Sequence, residues 1–221
     1  YINRVSGDNV VLRGNIKTIS NEGLQSSRTN HVTLRSINLL GEKTPPHKPT
    51  VKLIRKEYNI KERKENIIDV RILGINEVNG GRDLRIPVFI LFRALGYEKE
   101  KDILEMIIYD SDDNKLKNEL YKQLVPSIKD SQPIYTQKNA IKYLSMHVKN
   151  GEIINVIDTL NNNFLPNYST NYKFKAIYLG YVCRQLLLTH LGIIKETDRD
   201  SYTMKRINLA GNLLLELYRE L

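Results

Sequence analysis

The sequence predicts an α+β fold, with a β-rich N-terminal third followed by a helical cluster. Three observations predict it. Up to about residue 75, apolar and polar residues alternate, the period of a half-buried strand. From Pro87 onward apolar residues recur at spacings of three and four, the period of an amphipathic helix. The two regimes do not interleave, which sets the chain apart from the strand–helix alternation of a parallel α/β sheet.

Strands come first. "HVTLRSI" (31–37) sets Val32 and Leu34 on one face, Thr33 and Arg35 on the other. "TVKLIRK" (50–56) opposes Val51 and Leu53 to Lys52. "NIIDVRILGI" (66–75) alternates Ile68, Val70 and Ile72 with Asp69 and Arg71. "GEKTPPHKPT" is a loop, because Pro45, Pro46 and Pro49 cannot donate to a ladder. "KEYNIKERKEN" (56–66) reads as a charged connector, and Asn79–Gly81 as a turn.

Helices follow. "IPVFILFRALG" is predicted to start at Pro87, whose missing N–H is harmless in a first turn, and to stop at Gly96. Val88, Leu91, Phe92 and Leu95 form one stripe, and Phe89 and Ile90 extend it, so this helix should be buried nearly all round. "EKEKDILEMIIYD" puts Ile103, Leu104, Ile107 and Ile108 on one face. Asp112 is the N-cap candidate for a helix bearing Leu116, Leu120 and Leu124, which Pro126 is expected to close. Thr136 caps the next, with Ala140, Ile141, Leu144 and Val148 inside and Gly151 after it. Ile153, Val156, Ile157 and Leu160 make a further helix, ended near Pro166. In "YKFKAIYLGYVCRQLLLTHLG" the predicted inner side is Phe174, Ile177, Tyr178, Tyr181, Val182, Gln185 and Leu188. The last helix is predicted to begin around Thr203 and to bury Ile207, Ala210, Leu214, Leu217 and Leu221.

Composition bounds the function. A chain of 221 residues with 41% hydrophobic content supports one good core. The net charge of +9 is uneven: residues 1–66 carry +7 and residues 67–221 carry +2. That asymmetry fits a polyanionic partner, nucleic acid before membrane, and equally a solvated surface. No apolar run is long enough to span a membrane, and no secretory or transit pattern is visible. Opening on Tyr1, the chain reads as an excised piece of a longer protein.

Chemistry-bearing motifs are scarce. A single cysteine, Cys183, excludes an internal disulfide and a cysteine-rich zinc site. His31, His47, His147 and His190 are scattered, with no pair at ligand spacing. No glycine loop has the spacing that cradles nucleotide phosphates, and no Ser–His–Asp order can be argued. "DSDD" (110–113) lacks the glycine and distal glutamate of a calcium loop and reads as a helix-capping turn. The chain alone is expected to carry no catalytic residues, no metal and no cofactor.

The most distinctive stretch is "DRDSYTMKRINLAGNLLLELYREL" (198–221). Asp198 and Asp200 suit a turn and helix cap. Lys205 and Arg206 would oppose the dipole in a first turn, so they call for a carboxylate partner or a nucleic-acid backbone. Arg206 is expected to pair with Asp198 or Asp200.

This stretch and "IPVFILFRALGYEKEKDILEMIIYD" closely resemble the lobe region of the second-largest subunit of multisubunit DNA-directed RNA polymerases, the eukaryotic and archaeal counterpart of the bacterial β subunit. "FLPNY", "KFKAIYLGYVCRQLLL" and "SSRTNHVTLRS" match that region in order; residues 44–82 match only in strand character. The resemblance implies a fragment without catalytic residues in a nucleotidyltransferase. It implies an incoming segment from the protrusion over 1–30, the lobe over 31–210, and the start of a helix returning to the protrusion over 211–221. It implies a wall of the DNA cleft, with Arg199, Lys205 and Arg206 facing duplex DNA and Arg82 and Arg85 as further candidates. Implied partners are the largest subunit, a small zinc-ribbon subunit and initiation factors. Mg and Zn are expected only elsewhere in the intact enzyme. The alternative is a free-standing basic interaction module that binds acidic proteins or nucleic acid. The richness in Lys, Asn and Ile suggests an AT-rich genome, first that of a large cytoplasmic DNA virus and second a protist. The expected location is the nucleus, or host cytoplasm and virion for a virus.

Elemental analysis of the purified chain should find no stoichiometric zinc. One zinc per chain would overturn the reading of its histidines and cysteine.

Overall fold

The computed structural model describes residues 2–3, 15–19, 29–33, 50–57, 64–72, 74–76, 84–109, 113–168, 170–195, 206–207 and 210–220. Strands and helices segregate along the chain as the sequence predicts. β2 (Asn15–Ile19), β3 (Thr29–Thr33), β4 (Thr50–Glu57), β5 (Lys64–Arg71) and β6 (Ile86–Pro87) form an antiparallel sheet in sequence order. β1 (Ile2–Asn3) pairs apart from it, with β7 (Arg206–Ile207).

Several strands differ from their predicted spans. β3 starts at Thr29 and stops at Thr33, and Leu34 to Ile37 lie outside the described residues. β2 was not evident in the sequence, because "NIKTI" is too short for a clear alternation. β4 and β5 advance into the charged connector. There the register sets Lys56 opposite Glu65 and Glu57 opposite Lys64.

The edge of β5 is closed by two devices. β6 pairs only with Asp69 and Val70. Beyond it, the Ile68 N–H donates to Ser127 Oγ at 3.0 Å, so a helix covers the rest. That helix is α3 (Asn114–Asp130), and it corrects two expectations. Its cap is Asp113, not Asp112: the Asp113 side chain accepts from the Lys115 N–H at 2.9 Å. Pro126 also lies inside it and does not end it. An interior proline costs roughly 3 kcal/mol. Tertiary bonds from the turn beyond it, through Ser127 and Ser131, offset that cost.

α1 (Val88–Ala94) is buried on all sides, as its sequence requires. Pro87 is its N-cap, one residue before the predicted position. Gly96, at φ +102, ends it. Its N–H reaches Arg93 O and the Tyr97 N–H reaches Phe92 O, both at 3.0 Å, the paired bonds of a left-handed glycine stop. α2 (Glu100–Ile108) buries Ile103 and Ile107. Thr136 caps α4 (Gln137–Ser145), accepting from the Asn139 N–H at 3.3 Å. Val148 lies beyond that helix and bridges to Ile75.

α5 (Ile153–Asn162) and α6 (Tyr172–His190) bury different faces from those predicted. In α5, Val156, Thr159 and Leu160 are inside, whereas Ile153 and Ile157 are exposed. Thr159 can go inside because its hydroxyl donates to Asn155 O at 2.7 Å. In α6 the buried stripe holds Lys175, Ala176, Leu179, Gly180, Val182, Cys183, Leu186 and Leu187. Of the predicted inner set, Val182 and Leu188 are buried, Tyr178 and Gln185 half-buried, and Phe174, Ile177 and Tyr181 exposed. Size decides the face. Ala176, Gly180 and Cys183 leave room for α2, and a Cβ on Gly180 would lie 2.6 Å from the Met106 carbonyl oxygen.

The last helix, α7, runs over Ala210–Glu220 and not from Thr203, because residues 206–207 pair as β7. Ala210, Leu214 and Leu217 are exposed, contrary to expectation. An apolar face is buried only where a complementary surface meets it, and no described element packs closely along α7. The side chain of Ile207 and the whole of Leu221 lie outside the described residues.

Gly180→Ala should lower stability by about 1–3 kcal/mol, the usual cost of overpacking. Denaturant melts of this variant beside Gly211→Ala, where a Cβ meets nothing within 4 Å, provide the check. Equal midpoints would contradict the close α2–α6 contact.

Candidate interaction surface

Seven residues were singled out by the sequence. Arg82, Asp198, Arg199, Asp200 and Lys205 lie outside the described residues. Arg85 is exposed, between the buried Leu84 and Ile86 at the start of β6. Arg206 stands in β7, opposite Asn3 of β1. It is therefore not in a helical first turn, and the conflict with the helix dipole does not arise at this residue. The expected pairing of Arg206 with Asp198 or Asp200 involves partners outside the described residues.

Two cations that the sequence did not flag are buried completely. Arg93, in the last turn of α1, reaches the turn between α3 and α4. Its Nη1 donates to Ser131 O at 3.3 Å, to Ser131 Oγ at 3.1 Å, and to Ile134 O. Its Nη2 donates to Glu100 Oε1 at 3.3 Å, at the first residue of α2. The Tyr135 ring lies 5.3 Å from the guanidinium carbon. Burial pulls the Arg93 pKa down, and Glu100 opposes that shift. Lys175, in the first turns of α6, donates to Leu160 O at 2.5 Å and Asn161 O at 3.1 Å. These carbonyls belong to the last turn of α5, where a cation complements the helix dipole. Burial lowers the Lys175 pKa to about 8. The only sequence signal for either residue was a basic residue inside an apolar helical stripe.

Around α6 runs an aromatic row. Tyr168 and Phe174 stack at 6.1 Å between centroids, Tyr168 and Tyr178 meet at 6.2 Å, and Tyr178 and Tyr181 at 6.0 Å. Burial raises the phenol pKa values of Tyr168, Tyr172 and Tyr178, so these rings stay neutral. Arg184 donates to Tyr109 O and lies 4.4 Å from that ring's centroid, tying α6 to the end of α2. Phe174, Ile177 and Tyr181 face outward as an apolar stripe.

The buried polar groups described here are held by packing and hydrogen bonds. Cys183 is fully buried and burial raises its pKa, so its thiol is no nucleophile. Lys175 Nζ is committed to carbonyls. Among the described residues, no three His, Cys, Asp or Glu side chains converge as metal ligands.

Known proteins resemble much of this chain. The family model described as RNA polymerase Rpb2, domain 2 matches residues 78–208. DNA-directed RNA polymerase II subunit 2 of Arabidopsis thaliana is 38% identical over 148 residues, covering 62% of this chain and 12% of the relative. DNA-directed RNA polymerase II subunit RPB2 of Schizosaccharomyces pombe is 31% identical over 175 residues, 70% of this chain and 14% of the relative. DNA-directed RNA polymerase subunit Rpo2 of the archaeon Saccharolobus solfataricus is 32% identical over 143 residues, 61% and 12%. The chain thus spans only about an eighth of the length of these relatives.

Lys175, inside the matched span, generates a pH signature. With its folded pKa near 8 and an unfolded value of about 10.4, the unfolded chain holds the extra proton between these limits. Stability therefore rises with pH from about 8, by at most about 1.4 kcal/mol per unit. Cys183 acts in the opposite direction above about pH 8.5, and the raised tyrosines above about pH 10, since only the unfolded chain ionises them. In urea melts between pH 7.5 and 9.5 the stability of the wild type relative to Lys175→Met should therefore rise with pH, while the variant itself loses stability as the unfolded Cys183 thiol ionises. An identical pH dependence in the two would remove Lys175 from the account.

Proposed function

The chain belongs to the RNA polymerase Rpb2, domain 2 family, and from that premise we propose that it helps to wall the DNA cleft of a DNA-directed RNA polymerase and offers a docking surface to the other subunits. The observation that carries this reading is the family match running through the helical body, where, among the described residues, Cys183 and Lys175 are buried and committed to packing. It is a non-catalytic fragment of the second-largest subunit, and the family match favours this over a free-standing basic module. Nucleotidyl transfer, with the Mg and Zn it requires, would take place elsewhere in the assembled enzyme.

The proposed organisation is an incoming protrusion segment over 1–30, the lobe over 31–210 and a returning helix over 211–221. An inserted domain needs its two connections side by side. The β1–β7 pairing, which sets Ile2 opposite Ile207, supports that arrangement. The outward stripe of Phe174, Ile177 and Tyr181 supports contact with another subunit, since contiguous exposed apolar surface marks interaction sites. The proposed partners are the largest subunit, a small zinc-ribbon subunit and initiation factors. The place of action is the nucleus, or host cytoplasm and virion if the source is a large DNA virus.

A polymerase must traverse every sequence, so its cleft wall contacts phosphates and not bases. We assign those contacts to Arg199, Lys205 and Arg206, with Arg82 and Arg85 as secondary candidates. Two measurements test the reading. A tagged second subunit containing this chain should co-purify with a largest polymerase subunit; recovery of the subunit alone, under conditions that preserve related polymerases, would count against it. Duplex binding by the chain should be weak, sequence-independent and salt-sensitive. The triple alanine variant at 199, 205 and 206 should lose roughly 2.7 from the slope of log K against log salt if all three contact phosphates. An unchanged slope would remove these residues from the interface.

A further inference from the structure

We infer that Asn150–Gly151 is a site of self-modification: when its turn opens, Asn150 loses its side-chain nitrogen as ammonia and the backbone passes to an isoaspartyl linkage, with water as the co-reactant. None of the polymerase contacts proposed above involves this turn.

The pair lies in the short 3₁₀ turn Lys149–Gly151, between α4 and α5. Asn150 has φ +67 and ψ −1, and Gly151 has φ +68. Both residues are exposed, so water reaches them. The Gly151 N–H donates to Val148 O at 3.1 Å and closes the turn. Asparagine is one of the few residues that accept such a left-handed position, and its amide is thermally labile. Among the described residues, Asn150 is the only asparagine followed by glycine. The sequence holds a second such pair, Asn79–Gly80, outside the described residues.

Glycine at 151 matters because no side chain crowds its nitrogen. That nitrogen attacks Asn150 Cγ. A C–N bond forms, the Cγ–NH₂ bond breaks, and the amide proton of Gly151 leaves with the NH₂ group as ammonia. The product is a five-membered imide. Water then adds to one of its two carbonyls. Breaking the bond from the Gly151 nitrogen to Cγ gives aspartate. Breaking the bond to the main-chain carbonyl carbon gives isoaspartate, with a free α-carboxylate.

The folded turn holds this reaction in check. Ring closure needs the Gly151 nitrogen eclipsed with Asn150 Cβ. At ψ −1 that takes a rotation of roughly 120° about the Cα–C bond of a tetrahedral Cα. The rotation breaks the bond to Val148 O. Neighbouring ties resist it: Val148 bridges Ile75, which is fully buried, and the Asn76 N–H donates to His147 O at 2.9 Å. The rate therefore follows the population in which the turn is open. Once formed, the isoaspartyl linkage carries the backbone through Cβ and Cγ. The ring closed by the Gly151 N–H and Val148 O then gains one atom, and the tie between 147–148 and 75–76 loosens.

The test incubates the 221-residue chain at 37 °C and pH 8.5. Mass spectrometry follows the peptide containing Asn150, and electron-transfer fragmentation separates isoaspartate from aspartate. That peptide should gain the mass difference between OH and NH₂, with isoaspartate in excess. The gain should be about tenfold slower than in a free peptide of residues 145–156, where no turn is held. Asn150→Gly keeps the positive φ without the amide, so it should fold as the wild type and show no gain in this peptide. In the isoaspartyl fraction, isolated by ion exchange, the Asn76 amide should exchange hydrogen faster than in fresh chain. An intact Asn150 after the free peptide has reacted fully overturns the inference. Equal rates in chain and peptide overturn the control by the turn, and unaltered exchange at Asn76 overturns the loosening.

Discussion

The helical body depends on one guanidinium taken out of water. Arg93 is fully buried at the end of α1, and its charge must be satisfied inside. Removing such a cation from solvent costs several kcal/mol, recovered only if its donors are met. Two segments converge to meet them: the turn after α3, through Ser131, Ile134 and the Tyr135 ring across its face, and the first residue of α2, through Glu100. Nε still lacks a hydrogen-bond partner, so the compensation is incomplete. The interaction therefore constrains geometry more than it adds stability. It sets the separation of α1, α2 and the α3–α4 turn before any hydrophobic contact is counted.

That constraint accounts for the helix that runs through a proline. If α3 ended at Pro126, Ser127 would not reach the free edge of β5 and Ser131 would not reach Arg93. Local sequence argued for a stop, and two long-range hydrogen bonds decided otherwise. Local signals were legible wherever the physics was local. The glycine stop at Gly96, the Thr136 cap and the fully apolar α1 all followed from neighbouring residues. The faces of α5 and α6 did not, because both helices are apolar on more than one side. On α6 the choice turned on Gly180 and the approach of Met106, a contact across 74 residues of sequence that periodicity does not encode. Arg206 was judged by its distance from a helix, yet the pairing with Asn3 settles its conformation. Of the seven candidate site residues, the sequence indicated charge and not placement.

Charge is divided unevenly between the two parts of the chain. The basic charge is concentrated in residues 1–66, whose strands form most of the sheet, while residues 67–221 carry only +2. Two cations of that second part, Arg93 and Lys175, are spent inside, holding helix ends. α6 packs on the sheet through β3 and β4 and on α2 through Gly180, and turns Phe174, Ile177 and Tyr181 outward. An apolar outer stripe favours a protein contact that excludes water.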